Sequence, residues 1–180
     1  MAYIGENKHF SFRDNICEPL KEIGSAESAV FGKAVSGCYR RFFVGTDRFE
    51  HMNVLFALCG GIAECGNDVY VCENTDLPSF LFGIPMLSAE CGIFIGKGSL
   101  RFSFFNRYGF PLRDSEMKGI MNAVPLPSAE KCGKIRSTTT FRDIYINNIQ
   151  DKLKDSSEKI SASVSCGNKS VRELWLKFFT

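Results

Sequence analysis

A hydroxyl at Ser99 lies between cations at Lys97 and Arg101, in a loop opened by Gly96 and Gly98. This is the part of the 180-residue chain whose residue types most suggest chemistry. Flanking glycines leave backbone N–H groups uncovered, and with two cations and a hydroxyl nearby the set suits a phosphoryl group. The run before it, Ile93-Phe94-Ile95, is continuously apolar, as in a strand covered on both faces. The loop therefore falls at a strand end, where small ligands often bind. A phosphate-binding loop of the NTPase type is excluded by spacing. Three residues separate Gly92 from Gly96, Gly98 stands between lysine and hydroxyl, and the chain runs on into strand-like Phe102-Ser103-Phe104-Phe105 instead of a helix. The same residues also fit a plain glycine turn between adjacent strands, with Lys97 and Arg101 solvated.

The elements that must position this loop can be read from periodicity and punctuation. Phe10-Ser11-Phe12 alternates like an edge strand or the lip of a site. Gly24-Ser25 predicts a helix start capped by Ser25, with Val30, Phe31, Ala34, Val35 and Cys38 on its inner face. An apolar strand from Arg41 to Gly45 reaches Thr46-Asp47-Arg48, where Asp47 can cap the next helix, at about 49–65. Met52, Leu55, Phe56, Cys59 and Ile62 mark that helix's inner side, Gly60-Gly61 predicts close helix-to-sheet packing, and Gly66 ends it. A strand at 68–72, a helix begun by Pro78 and kinked or shortened by Pro85, strands at 92–95 and 101–106, and a helix at 114–123 follow. Met117, Ile120 and Met121 face inward on the last of these.

This order predicts an α/β fold, a three-layer α/β/α sandwich with a mixed, mostly parallel sheet and a C-terminal βα extension. Residues 1–125 form the α/β/α domain, the polar, turn-rich 126–141 reads as a linker, and 142–180 reads as a helix–strand–helix extension. Its elements fall at 142–153, 160–164 and 171–179, with a turn at Cys166-Gly167-Asn168. A βα unit without a sheet of its own must dock on the first domain, on another chain or on further sequence.

Composition narrows the partners. Net charge is only +2 and no basic stripe emerges, so nucleic-acid binding has no support. The longest apolar stretches, around 51–63 and 77–89, fall short of the roughly 18 residues a spanning helix needs, and the N-terminus lacks a signal-peptide core. Eight cysteines contain no C-x-x-C pair, and only His9 and His51 could assist them. They read as reduced structural thiols, which makes a cytoplasmic setting the expectation.

With the elements in order, residues 10–124 resemble the first domain of the α-D-phosphohexomutases, the phosphoglucomutase and phosphomannomutase family. Val44-Gly45-Thr46-Asp47-Arg48 looks like a shortened form of that family's Gly-x-Asp-Thr-Arg motif, and Gly92-Ile93-Phe94-Ile95 resembles its Gly-Ile-Met-Ile strand. Phe105-Asn106, Gly109 and Pro111-Leu112 resemble its Phe-Asn…Gly-x-Pro-Leu segment, and Val164-Ser165-Cys166-Gly167-Asn168 resembles the opening of its second domain. The resemblance implies Ser99 as the phosphorylated nucleophile, Lys97 as a stabiliser of phosphoryl charge, Arg101 and Arg48 as phosphate contacts, and a hexose phosphate as ligand.

The departures lie in the site. In the simplest alignment Gly98 stands where the family has its serine and Ser99 where it has histidine, so the serine loop reads as degenerate. Ile16 is followed by Cys17 and Glu18, not the family's Arg-Gly, and the Asp-Gly-Asp-x-Asp-Arg loop that holds Mg²⁺ is absent. The sugar-selecting and distal phosphate-binding domains are missing as well. The resemblance thus implies a phosphohexomutase-like domain that is catalytically inactive as this chain alone and has no cofactor of its own; Mg²⁺ is implied only with a complete mutase site. Two alternatives stay open: a working mutase or phosphotransferase fragment using Ser99, and a phosphosugar-binding or assembly module whose βα tail recruits a protein partner or further domains.

Overall fold

The computed structural model describes residues 10–47, 49–96, 100–138 and 141–153, with the single positions 172 and 176. In chain order the elements are β1 (Phe10–Arg13), β2 (Ile16–Pro19), α1 (Ser25–Val35), β3 (Arg41–Thr46), α2 (Met52–Glu64), β4 (Asp68–Cys72), α3 (Leu77–Met86), β5 (Cys91–Ile95), β6 (Phe102–Asn106), α4 (Asp114–Met121), β7 (Ile135–Ser137) and α5 (Phe141–Leu153). The strands form one mixed sheet in the order β1-β2-β6-β5-β3-β4-β7. It is parallel across β5-β3-β4-β7 and antiparallel across β1-β2-β6-β5. Among the described residues no helix is long and apolar enough to cross a membrane.

The three layers follow from the two-residue alternation of side chains along a strand. Phe42 and Val44 on β3 join Ile93 and Ile95 on β5, Phe102 and Phe104 on β6, and the inner faces of α1, α2 and α4 in the larger core. Phe43 points the other way, into a second core with Phe80 and Ile84 of α3, Phe94, Phe105, and Phe141 of α5. Phe43 and Phe80 stack with ring centroids 4.4 Å apart. A fully buried Phe contributes about 1.5–3 kcal/mol, so this aromatic layer fixes α3 firmly against the sheet.

Several local expectations give way to better-placed partners. The cap of α1 is Gly24, whose N–H donates to the Glu27 carboxylate at 3.0 Å, while Ser25 is already the first helical residue. Val30 and Phe56 are exposed, because Gly32 and Gly61 draw α1 and α2 against each other and turn those side chains outward. A 3₁₀ turn at Phe49–His51 separates Asp47 from α2, so Asp47 does not cap that helix. Gly61 serves helix-to-helix contact, not the helix-to-sheet contact expected: a Cβ there would lie 2.0 Å from the Ala29 carbonyl oxygen. Gly60 has nothing within 4 Å of the same position.

Two strands depart from the sequence reading. A two-residue turn with Asp14 in the left-handed region joins β1 to β2, which the sequence did not announce. The segment 126–141, read as a linker, contributes β7, which pairs with β4 through Val69↔Ile135, Tyr70↔Arg136 and Val71↔Ser137. The strand expected at 160–164 lies outside the described residues, as does the helix at 171–179 save for Arg172 and Leu176.

Gly61→Ala should lower stability by about 1–3 kcal/mol through overpacking. Gly60→Ala should raise it by about 0.5–1 kcal/mol through helix propensity. Urea midpoints at unchanged m-value would separate the two. A second expectation concerns the thiols, all seven described cysteines being free. Burial pushes the Cys17 and Cys91 thiols well above their ordinary value of 9.0. Above that pH the unfolded chain releases protons that the folded one keeps, so stability should fall as pH rises past about 9. Urea midpoints compared at about pH 8 and about pH 10 should show the fall, and Cys91→Ala should lessen it.

Candidate functional site

Three loops meet at the carboxyl ends of the parallel strands. The Thr46 hydroxyl at the end of β3 donates to the Ile95 carbonyl at the end of β5, at 2.9 Å. The Thr75 N–H in the β4–α3 loop donates to the Thr46 carbonyl, also at 2.9 Å. Thr46 and Thr75 are buried, so both bonds are shielded from water and fix the relative heights of the strand ends. Ligands of open α/β sheets gather at such an edge.

The loop that carries the candidate hydroxyl joins β5 to β6. These strands pair antiparallel with Ile95 opposite Phe102, and the Gly96 N–H donates to the Arg101 carbonyl at 3.2 Å, closing a hairpin. Lys97, Ser99 and Arg48 lie outside the described residues. Arg101 is described, and its Nε stands 3.2 Å from the Glu18 carboxylate on β2. That nitrogen is itself covered and makes no aligned hydrogen bond, so the contact is an ion pair by distance. Both side chains are about 40% exposed, and a pair so open contributes at most about 1 kcal/mol. Electrostatically it matters more: the carboxylate offsets the one cation of the hairpin that the described residues include.

Beside the hairpin a cavity of about 420 Å³ opens between Pro19 and Lys21 after β2, His51 before α2, and Leu100. On the other side, α5 is fastened to the β4–α3 loop. Asp76 is buried and caps α3, accepting from the Ser79 N–H at 2.9 Å and the Ser79 hydroxyl at 3.0 Å. The Arg142 Nε donates to the same carboxylate at 3.3 Å, and its terminal nitrogen donates to the Asn74 carbonyl at 2.9 Å. Among the described residues no three His, Cys, Asp or Glu side chains converge as a metal set, so no step through Mg²⁺ is derived for this chain.

No family model matches the chain. A phosphoglucosamine mutase of Finegoldia magna is 27% identical over 130 residues, 66% of this chain and 29% of its own length. A protein of Thermus thermophilus assigned as a phosphomannomutase superposes with a TM-score of 0.68, at 20% identity, over 81% of this chain and 36% of its own. The fold is that of the phosphohexomutases. A phosphoglucomutase/phosphomannomutase family protein of Burkholderia thailandensis agrees, with a TM-score of 0.65 and 14% identity over 99% of this chain and 42% of its own. The chain thus spans less than half the length of these phosphohexomutase-type relatives.

Within this phosphohexomutase fold, Glu18, His51 and the Asp76–Arg142 pair escaped the sequence reading. A polar run, Asp47-Arg48-Phe49-Glu50-His51, between strand and helix was the available sign for His51. Asp76→Ala should destabilise by about 1–2 kcal/mol through loss of the cap, and more once Arg142 is stranded. Asp76→Asn should keep most of the cap and lose the ion pair. Urea denaturation of both variants with Arg142→Met would measure the coupling as a double-mutant cycle.

Proposed function

We propose that this chain is a phosphohexomutase-like domain that binds a hexose phosphate at the β5–β6 hairpin and, by itself, does not isomerise it. The observation that carries the reading is the hairpin's place at the carboxyl ends of the parallel strands, in a fold shared with phosphomannomutase and phosphoglucomutase family proteins. In this reading Lys97 and the N–H groups beside Gly96 and Gly98 meet the phosphoryl group, Arg48 and Arg101 supply further contacts, and Ser99 is the position from which a phosphoryl acceptor would work. Catalytic silence is supported by the residues about the loop. Glycine at position 98 replaces the hydroxyl of the resembling motif, and Glu18 engages Arg101 where a developing negative charge would need that cation.

Glucose 1-phosphate at about ten times its Kd should stabilise the folded chain by about 1.4 kcal/mol, a Tm rise of about 3–6 °C at this size. Lys97→Ala should abolish the rise. Intact mass after incubation with glucose 1,6-bisphosphate and Mg²⁺ should be unchanged in wild type and Ser99→Ala alike. A phosphate-sized gain confined to wild type would overturn the silent reading and make Ser99 a nucleophile. No Tm shift at millimolar ligand would overturn binding.

A further inference from the structure

Tyr108 and Phe110 stand out on the turn after β6, 70% and 67% exposed. That turn is not a loose tip. The Asn106 side-chain carbonyl accepts from the Tyr108 N–H at 3.0 Å and the Phe110 N–H at 3.2 Å, the Asn106 N–H donates to the Phe110 carbonyl at 2.8 Å, and the Gly109 N–H donates to the Asn106 carbonyl at 2.9 Å. Gly109, in the left-handed region, seats the turn on α3, where a Cβ would lie 3.0 Å from the Leu81 carbonyl oxygen. Met86, at the end of α3, is exposed as well. Together the three side chains expose on the order of 300 Å², the scale at which apolar surface marks a contact. Aromatic side chains held on a braced backbone have little further freedom to lose on association.

Beside the pair lies a concavity of about 390 Å³ lined by Pro85, Ser88, Ala89, Glu90, Arg107 and Tyr108. Pro85, Ala89 and the Tyr108 ring give it an apolar wall, and Arg107 and Glu90 give it one charge of each sign. One Glu90 carboxylate oxygen accepts from the Arg40 N–H at 2.9 Å, while Arg107 is exposed and forms no ion pair with any described residue. Projecting ring, concavity and both charges therefore share one surface. A twofold contact requires this, since each copy must offer the groups that the other receives. Phe110 of one copy can enter the concavity of the other while Arg107 meets Glu90 across the axis. Arg41, whose guanidinium donates to the Ser88 carbonyl at 3.3 Å, places a second cation near that carboxylate. A partner of one strong charge is disfavoured, for Glu90 repels an acidic one and Arg107 a basic one. The chain's own net charge, only +2, sets no strong repulsion between copies.

We infer that the surface of Met86, Tyr108 and Phe110 is a contact between two copies of this chain, related by a twofold axis. It lies at the amino end of β5, where Cys91 pairs with Asn106, and so at the far end of β5 and β6 from the hairpin. The contact is therefore independent of what the hairpin binds. The patch is small against the roughly 800 Å² that each partner gives to a standard interface, so association is weak and reversible, in the micromolar range.

Sedimentation of the full chain between about 1 and 300 µM would test it, under reducing conditions so that the exposed Cys132 cannot cross-link copies. The weight-average mass should climb with concentration from 20.1 kDa toward twice that value. Phe110→Ser should raise the dimer Kd at least about tenfold, because a twofold axis loses the same contact twice. Its urea midpoint at low concentration should match wild type, since the side chain is exposed in the single copy. Arg107→Glu should weaken the dimer too, and Arg107→Glu with Glu90→Arg should recover at least part of it, a rescue that non-specific apolar contact would not give. A mass of 20.1 kDa at every concentration would overturn the inference and leave the patch to a different partner or to further sequence. A dimer unchanged by Phe110→Ser, or indifferent to Arg107→Glu, would overturn it as well.

Discussion

Burial of β3 on both faces is the constraint from which the rest of the molecule follows. Phe42 and Val44 commit one side to α1 and α2, Phe43 commits the other to α3 and α5, and no register shift of the strand satisfies both cores. Its flanking strands, β4 and β5, are parallel to it, so their carboxyl ends must emerge together. Thr46 then stitches that shared end through one bond to each side. The site is a consequence of the central strand before it is a set of residues.

Helix packing meets a stricter limit. Gly32 would place a Cβ 2.4 Å from the Leu58 carbonyl oxygen, and Gly61 makes the reciprocal approach to Ala29. Backbone meets backbone at these two points, which leaves α1 and α2 little room to slide. Gly92 does comparable service on the opposite face, where a Cβ would strike the Ile84 side chain at 2.5 Å and hold α3 off β5. The three-layer sandwich is therefore tight on both sides of β5, the strand that leads directly into the hairpin.

Legibility in the sequence followed from how local each cause is. The apolar runs of β3 and β5 and the helical period of α2 are carried by neighbours in the chain, and they were readable. β2 and β7 were not, because Cys17 is the one buried residue of β2 and all three residues of β7 are exposed. Such strands exist through pairing with β6 and β4, which no local pattern encodes. Gly60-Gly61 announced a close approach without saying to what. The hairpin was visible as a glycine-rich polar stretch after an apolar strand. By contrast, the Glu18–Arg101 ion pair and the cavity at His51 join residues distant in sequence, and only the sheet brings them together.

The clasp between Arg142 and Asp76 reaches across 66 residues. A contact of that span carries the loop-closure entropy of all the intervening chain, whereas the Asp76 cap on Ser79 closes over three residues and can form with α3 itself. The β4–α3 loop therefore rests on two constraints of different entropic cost, a local one set by the cap and a long-range one that requires β7 and α5 in place. One edge of the surface at the strand ends is thus complete only with the last described helix in place, so local integrity there depends on a contact made far along the chain.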